Sequence, residues 1–126
     1  MNNSIKRPIF LNLFQIRMPV AAVVSILHRI SGVFWLLALP LLLYAFEHSL
    51  QSEQSYRELL QWINHPAVAA LLLLWLWLLL HHFFAGIRFV LLDMDIAISR
   101  IAARRAAWLV HLASIGSLLI IVGMFL

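Results

Sequence analysis

The chain has 126 residues, of which 64% are hydrophobic and 11% charged, and its formal net charge is +4. Its mean hydropathy of +0.98 excludes an ordinary soluble domain, and its length allows only a few membrane spans. The absence of cysteine excludes disulfides, thiolate chemistry and iron–sulfur ligation by this chain. The basic residues are spread over loops and span ends, so orientation in a bilayer explains them better than nucleic-acid binding does.

Residues 1–18 are predicted to form a cytoplasmic N-terminal arm. The segment is polar at its start and carries Lys6, Arg7 and Arg17, while Pro8 breaks any helix there. No small-residue cleavage site follows a short apolar run, so we expect neither a signal peptide nor an organelle transit peptide.

The first predicted transmembrane helix covers residues 19–46, with a proline in its first turn. Polar residues at i, i+3, i+4 and i+7 spacing share one face of this helix: Ser25, His28, Arg29 and Gly32. A cation inside a span costs about 3 kcal/mol unless it is paired or snorkels to the interface. Snorkelling would explain Arg29 alone, but the serine and histidine beside it favour a binding site.

The remaining chain alternates between loops and spans. Residues 47–65 are acidic and predicted to form an external loop with a short amphipathic turn. Residues 66–92 include a long uninterrupted apolar run and form a helix of roughly 40 Å, long enough to cross a bilayer. Residues 93–106 are predicted to be a cytoplasmic loop, and residues 107–126 a third span. The predicted fold is therefore an all-α membrane protein with three transmembrane helices.

The distribution of positive charge predicts the orientation of these spans. Eight of the nine basic residues lie toward one side, and only Arg57 lies in the other loop. This places the N-terminus in the cytoplasm and the C-terminus on the opposite side. The eight residues are Lys6, Arg7, Arg17, Arg29, Arg88, Arg100, Arg104 and Arg105.

His82 lies near mid-bilayer, about 16 Å of helix before the polar end at Asp93. An imidazole at that depth needs a helix partner, a water-filled cavity or a bound group. Gly86, one turn away, removes a side chain that would stand between the helix and a flat ligand, so the face suits a haem axial ligand. From this helix alone, a hydrogen bond across a helix interface explains His82 at least as well.

Other histidines leave alternatives for the ligand. His81 directly precedes His82 on a different face, where we expect packing or hydrogen bonding, but ligation by His81 stays open. His28 and His111 are also possible ligands from the same chain. His111 and Ser114 share a face near the start of the third span, where interhelical hydrogen bonds are the favoured interpretation.

An ordered set of motifs resembles the cytochrome b membrane-anchor subunit of proteobacterial succinate dehydrogenases. The set consists of the segment SILHRISG at 25–32, then His82, the triplet Gly86-Ile87-Arg88 and finally Asp93. The arm RPIFLNLFQIRMP, residues 7–19, is similar to the segment that precedes the motif in that family. The resemblance covers essentially the whole chain, including its length and number of spans.

The resemblance implies a multi-pass subunit of respiratory complex II in the bacterial cell inner membrane. Its expected partners are a second small membrane anchor subunit, an iron–sulfur subunit and a flavoprotein subunit. His82 would be one axial ligand of a haem b iron, the partner anchor would supply the other, and His28 would lie near a haem propionate. Ser25 and Arg29 would line the ubiquinone site, where a quinone carbonyl oxygen needs hydrogen-bond donors.

The chain is expected to be a subunit of an enzyme and not an enzyme alone. It has no nucleotide-binding glycine motif and no soluble domain that could hold a flavin or a dicarboxylate. A related alternative is the anchor of a quinol:fumarate reductase. An unrelated one is a haem-free scaffolding or transport protein, in which the intramembrane His and Arg only mediate helix contacts or proton movement.

Overall fold

The structure, a computed structural model, describes residues 18–125 and contains four helices in that range. They are α1 (Val20–Gln51), α2 (Glu53–Ile63), α3 (Pro66–Asp93) and α4 (Arg100–Phe125). Three of them, α1, α3 and α4, are long and apolar enough to cross a membrane. Since the described residues form no strand, the predicted all-α fold with three spans is confirmed. The predictions for the arm before Met18 lie outside the described residues.

The helices extend further than the apolar runs predicted. Helix α1 continues to Gln51 instead of ending at residue 46, and Pro40 lies inside it without ending it. Helix α4 begins at Arg100 instead of residue 107, and the Ser99 hydroxyl accepts a hydrogen bond from the Ala102 amide at its start. Charged residues are compatible with helix, so hydrophobicity marks the depth of a span better than its ends.

Within the segment predicted as an external loop with a short amphipathic turn, Glu53–Ile63 form the helix α2. Ser52 caps its start, because its hydroxyl accepts a hydrogen bond from the Ser55 amide at 3.0 Å. Arg57 and Glu53 pair one turn apart on the exposed surface, at 2.6 Å. The serine cap and the side-chain pair therefore favour a helix that is longer than the polar composition of this segment predicted.

Helix α3 packs against both α1 and α4, and small residues at the contact allow close approach. The buried apolar cluster contains Val24 of α1, Ala85 of α3, and Ala107 and Val110 of α4. Long apolar side chains lie on the outside of the bundle; Leu36, for example, is 71% exposed. An apolar exterior around a core of small residues is the arrangement expected of helices that associate within lipid.

Candidate functional site

His82 of α3 is held by hydrogen bonds from α1. Its Nδ1 lies 3.0 Å from the Ser31 hydroxyl oxygen and 3.1 Å from the His28 carbonyl oxygen. The Ser31 hydroxyl also donates to that carbonyl oxygen, at 2.8 Å. Because a carbonyl oxygen only accepts hydrogen bonds, this geometry favours the tautomer that carries its proton on Nδ1. Nε2 then keeps its lone pair, the state required of a metal ligand.

His28 lies directly against His82. The two imidazole rings stack with their centroids 4.1 Å apart and an interplanar angle of 14°. His28 also contacts the ring of Phe89, with the centroids 5.1 Å apart. Two axial ligands bind a haem iron from opposite faces of the macrocycle, and rings stacked this closely leave no space for one. The arrangement therefore does not support His28 and His82 as two ligands of the same iron.

Two glycines shape the surroundings of the histidine pair. A Cβ atom added to Gly32 would lie 3.2 Å from Cε1 of His82, so this glycine allows α1 to approach the ring. A Cβ atom at Gly86 would meet His28 Nε2 at an ordinary 3.8 Å. Gly32 is therefore the glycine that the close contact requires.

An apolar recess of about 430 Å³ adjoins His82 on the surface of α3. Its lining residues are His82, Phe83, Gly86, Ile87, Val90 and Leu91. Gly86, the glycine of the face predicted to receive a flat ligand, lies in this wall. An apolar recess beside an imidazole whose Nδ1 is engaged by α1 fits a haem group, because haem needs a free imidazole nitrogen and an apolar surface for its macrocycle.

His81 faces away from this recess and toward α4. It is completely buried, and its ring lies 5.3 Å from that of His111 and 5.8 Å from that of Trp77. Within the described part of the chain, neither ring nitrogen has a hydrogen-bond partner. Since His82 borders the recess and His81 does not, the geometry favours His82 over His81 as the haem ligand.

His111 and Ser114 do not form the interhelical hydrogen bonds that were predicted for them. The Ser114 hydroxyl donates to the His111 carbonyl oxygen at 3.0 Å, which is a bond within α4 and not between helices. A buried serine satisfies its hydroxyl in this way because the carbonyl one turn back is always in reach. His111 contacts α3 through its ring, against His81.

Ser25 and Arg29 lie one turn apart on α1, outside the contact between His28 and His82. Ser25 is half-buried and Arg29 is exposed on the outer surface of the bundle. Among residues 18–124, neither side chain forms a hydrogen bond or ion pair, and neither lines the recess at His82. Helical spacing brings the two side chains together, but a binding site there would also need groups from outside this chain.

Ser31 was not among the predicted site residues, although the structure gives it a direct contact with His82. It interrupts the apolar run three positions after His28, and this interruption is the only feature of the sequence that points to a role for Ser31. Its role depends on how α1 crosses α3, which spacing within one helix does not reveal.

Comparison with known proteins agrees with this architecture. A model of the family described as "Succinate dehydrogenase/Fumarate reductase transmembrane subunit" matches residues 3–122. The succinate dehydrogenase cytochrome b556 subunit of Coxiella burnetii is 35% identical over 111 residues, which cover 86% of this chain and 88% of that protein. With three spans and a match over nearly its full length, the chain belongs to the family of succinate dehydrogenase/fumarate reductase transmembrane subunits.

Proposed function

We propose that the chain is the cytochrome b subunit that anchors a succinate dehydrogenase to the bacterial inner membrane and helps to form its ubiquinone-reduction site. The observation that carries this proposal is His82, whose Nδ1 is held by α1 beside an apolar recess. Family membership gives the class of complex, and the name of the Coxiella burnetii relative favours succinate oxidation over fumarate reduction.

His82 would hold the iron of haem b through Nε2, and the partner anchor subunit would supply the other ligand. When bound, haem b supplies reversible one-electron chemistry. The His28 carbonyl and the Ser31 hydroxyl keep the His82 proton on Nδ1 and fix the ring orientation. The recess is lined by α3 alone and is open on its outer side, so the partner anchor would complete the enclosure that excludes water. His28 lies in contact with His82, so its ring would be close enough to the recess to donate a hydrogen bond to a haem propionate.

Ser25 and Arg29 would bind ubiquinone at one carbonyl oxygen. Both side chains donate hydrogen bonds, and the guanidinium stabilises negative charge as it develops on that oxygen. Because Arg29 is exposed on the outer surface of the bundle, the quinone would bind between this chain and neighbouring subunits. Electrons would reach it from succinate through the flavoprotein and iron–sulfur subunits, since this chain contains no cysteine.

Deleting this chain from its host tests the proposal. We expect succinate-driven ubiquinone reduction to disappear from membranes, while succinate oxidation by a soluble artificial acceptor moves into the soluble fraction. Restoring the chain should return both activities to the membrane. A haem-free scaffolding or transport protein predicts the opposite result, in which the membranes keep full succinate:ubiquinone activity without the chain.

Replacing Ser31 with alanine should weaken haem retention. The substitution removes one of the two groups that hold Nδ1 of His82, and loss of such a support lowers metal affinity on the order of tenfold. The measurements are haem content per purified complex and the haem reduction potential by optical titration. Ser49→Ala is the matched control, because Ser49 also donates to the carbonyl three residues back in α1 but is remote from His82. If the two variants behave alike, Ser31 has no role at the haem.

A further inference from the structure

Arg88 is a buried arginine at the contact between α3 and α4. It is only 6% exposed, and its closest hydrogen bond is a long one, 3.5 Å from the terminal nitrogen to the Ala103 carbonyl oxygen. Its Nε has no hydrogen-bond partner within the described residues. The guanidinium carbon lies 5.4 Å from the ring centre of Phe89, which supplies only a weak additional attraction. The side chain thus carries a charge that the bundle satisfies incompletely.

No acidic side chain of this protein neutralises that charge. The sequence contains five side-chain carboxylates, and all of them lie in the described part of the structure: Glu47, Glu53, Glu58, Asp93 and Asp95. The ion pairs formed there join Glu53 to Arg57 and Glu58 to His48, and none includes Arg88. Because a buried charge is costly unless it is paired, the counter-ion of Arg88 should come from outside the chain.

The space beside Arg88 is apolar and opens toward the outside of the bundle. A recess of about 190 Å³ includes Arg88 and Ala106 in its walls. Its outer lining is contributed by exposed apolar side chains, among them Ile87, Leu91, Ile96 and Leu109. A ligand that fits must therefore combine an anionic group with a hydrocarbon segment.

The position of Arg88 along the helix matches the level of lipid headgroups. It lies five residues before Asp93, the last residue of α3, or roughly 7.5 Å along the helix axis. Ala103 lies in the first turn of α4, which begins with the basic residue Arg100. Basic groups at the polar end of a membrane bundle attract anionic headgroups.

We propose that Arg88 and the adjoining recess form a binding site for an anionic phospholipid, whose phosphate pairs with the guanidinium while part of an acyl chain fills the recess. The site adjoins the candidate haem site, because Ile87 and Leu91 line both recesses, but its polar group is a different one. Arg88 lies on the face of α3 that packs against α4, whereas His82 packs against α1. The apolar, outward-facing lining favours lipid over an acidic side chain of a partner subunit.

Lipid exchange on the purified complex tests this proposal. The complex is isolated through a tag on this chain, stripped of lipid with detergent, and mixed with vesicles of phosphatidylglycerol or of phosphatidylcholine. Retained lipid is quantified by mass spectrometry, and thermal stability is followed in parallel, since a ligand that binds the native state raises Tm. The variants are Arg88→Gln, which removes the charge, and Ala106→Phe, which fills the recess but keeps the arginine. Arg105→Gln removes an exposed arginine from the same end as the matched control.

We expect phosphatidylglycerol to be retained and to raise Tm more than phosphatidylcholine does, in wild type and in Arg105→Gln. Arg88→Gln and Ala106→Phe should each bind phosphatidylglycerol on the order of tenfold more weakly, because each removes one half of the site. If wild type shows no preference for phosphatidylglycerol, the counter-ion is not a phospholipid and the proposal is wrong. Unchanged affinity in well-folded Ala106→Phe would also overturn it, whether or not Arg88→Gln assembles.

Discussion

Replacing His82 with leucine should abolish the b-type haem absorption of the complex purified through this chain. His82 is the histidine that borders the apolar recess, and its Nδ1 is already engaged by α1. Without it, the recess would have no imidazole in its wall to hold the haem iron, because its other lining residues are not histidines. The measurement is the optical spectrum of the reduced complex, with subunit composition checked by gel electrophoresis so that failed assembly is recognised.

His81→Leu is the matched control for that experiment. The substitution removes a neighbouring histidine that is fully buried against α4 and makes no hydrogen bond within residues 18–124. Because leucine is apolar and of similar size, we expect the complex to assemble and to keep its haem spectrum. Loss of haem in His81→Leu together with a normal spectrum in His82→Leu would show that His81, and not His82, binds the haem iron.

Replacing Arg29 with glutamine should lower succinate-driven ubiquinone reduction on the order of a hundredfold. A single preorganised donor to developing negative charge is worth about that factor in other active sites. Ser25→Ala should have a smaller effect in the same direction, because a neutral hydroxyl contributes less than a cation. Succinate oxidation with a soluble artificial acceptor should remain near the wild-type rate in both variants, since that activity does not require the membrane site.

Arg57→Gln gives the corresponding control, because Arg57 is an exposed arginine paired with Glu53 in α2, far along the chain from Ser25. It should leave both activities unchanged. Equal loss of the quinone-dependent and the artificial-acceptor activities in Arg29→Gln would show that the residue supports assembly and not quinone reduction.

The three spans could be predicted from the sequence because each carries a long apolar run, and such a run partitions into a bilayer regardless of its tertiary contacts. The polar face containing His28 was also visible, since helical spacing alone places its members together. Helix α2 was predicted only as a short amphipathic turn, because hydropathy does not register the serine cap and the exposed side-chain pair that accompany its full length.

The contacts between helices could not be predicted from the sequence. The hydrogen bond between Ser31 and His82 joins residues 51 positions apart, and it depends on the crossing of α1 and α3. The same crossing makes Gly32 the glycine in close contact with His82. Arg88 looked like one more basic residue near a span end, and only its packing against α4 shows that it is buried.

The most direct test of the account is a dithionite-reduced minus oxidised spectrum of the complex purified through a tag on this chain, with its co-purifying subunits identified. We predict a b-type haem band, together with a flavoprotein, an iron–sulfur subunit and a second small anchor. A complex with neither haem nor these partners would contradict the proposed function, and His82 would then be an interhelical contact held by Ser31 and the His28 carbonyl.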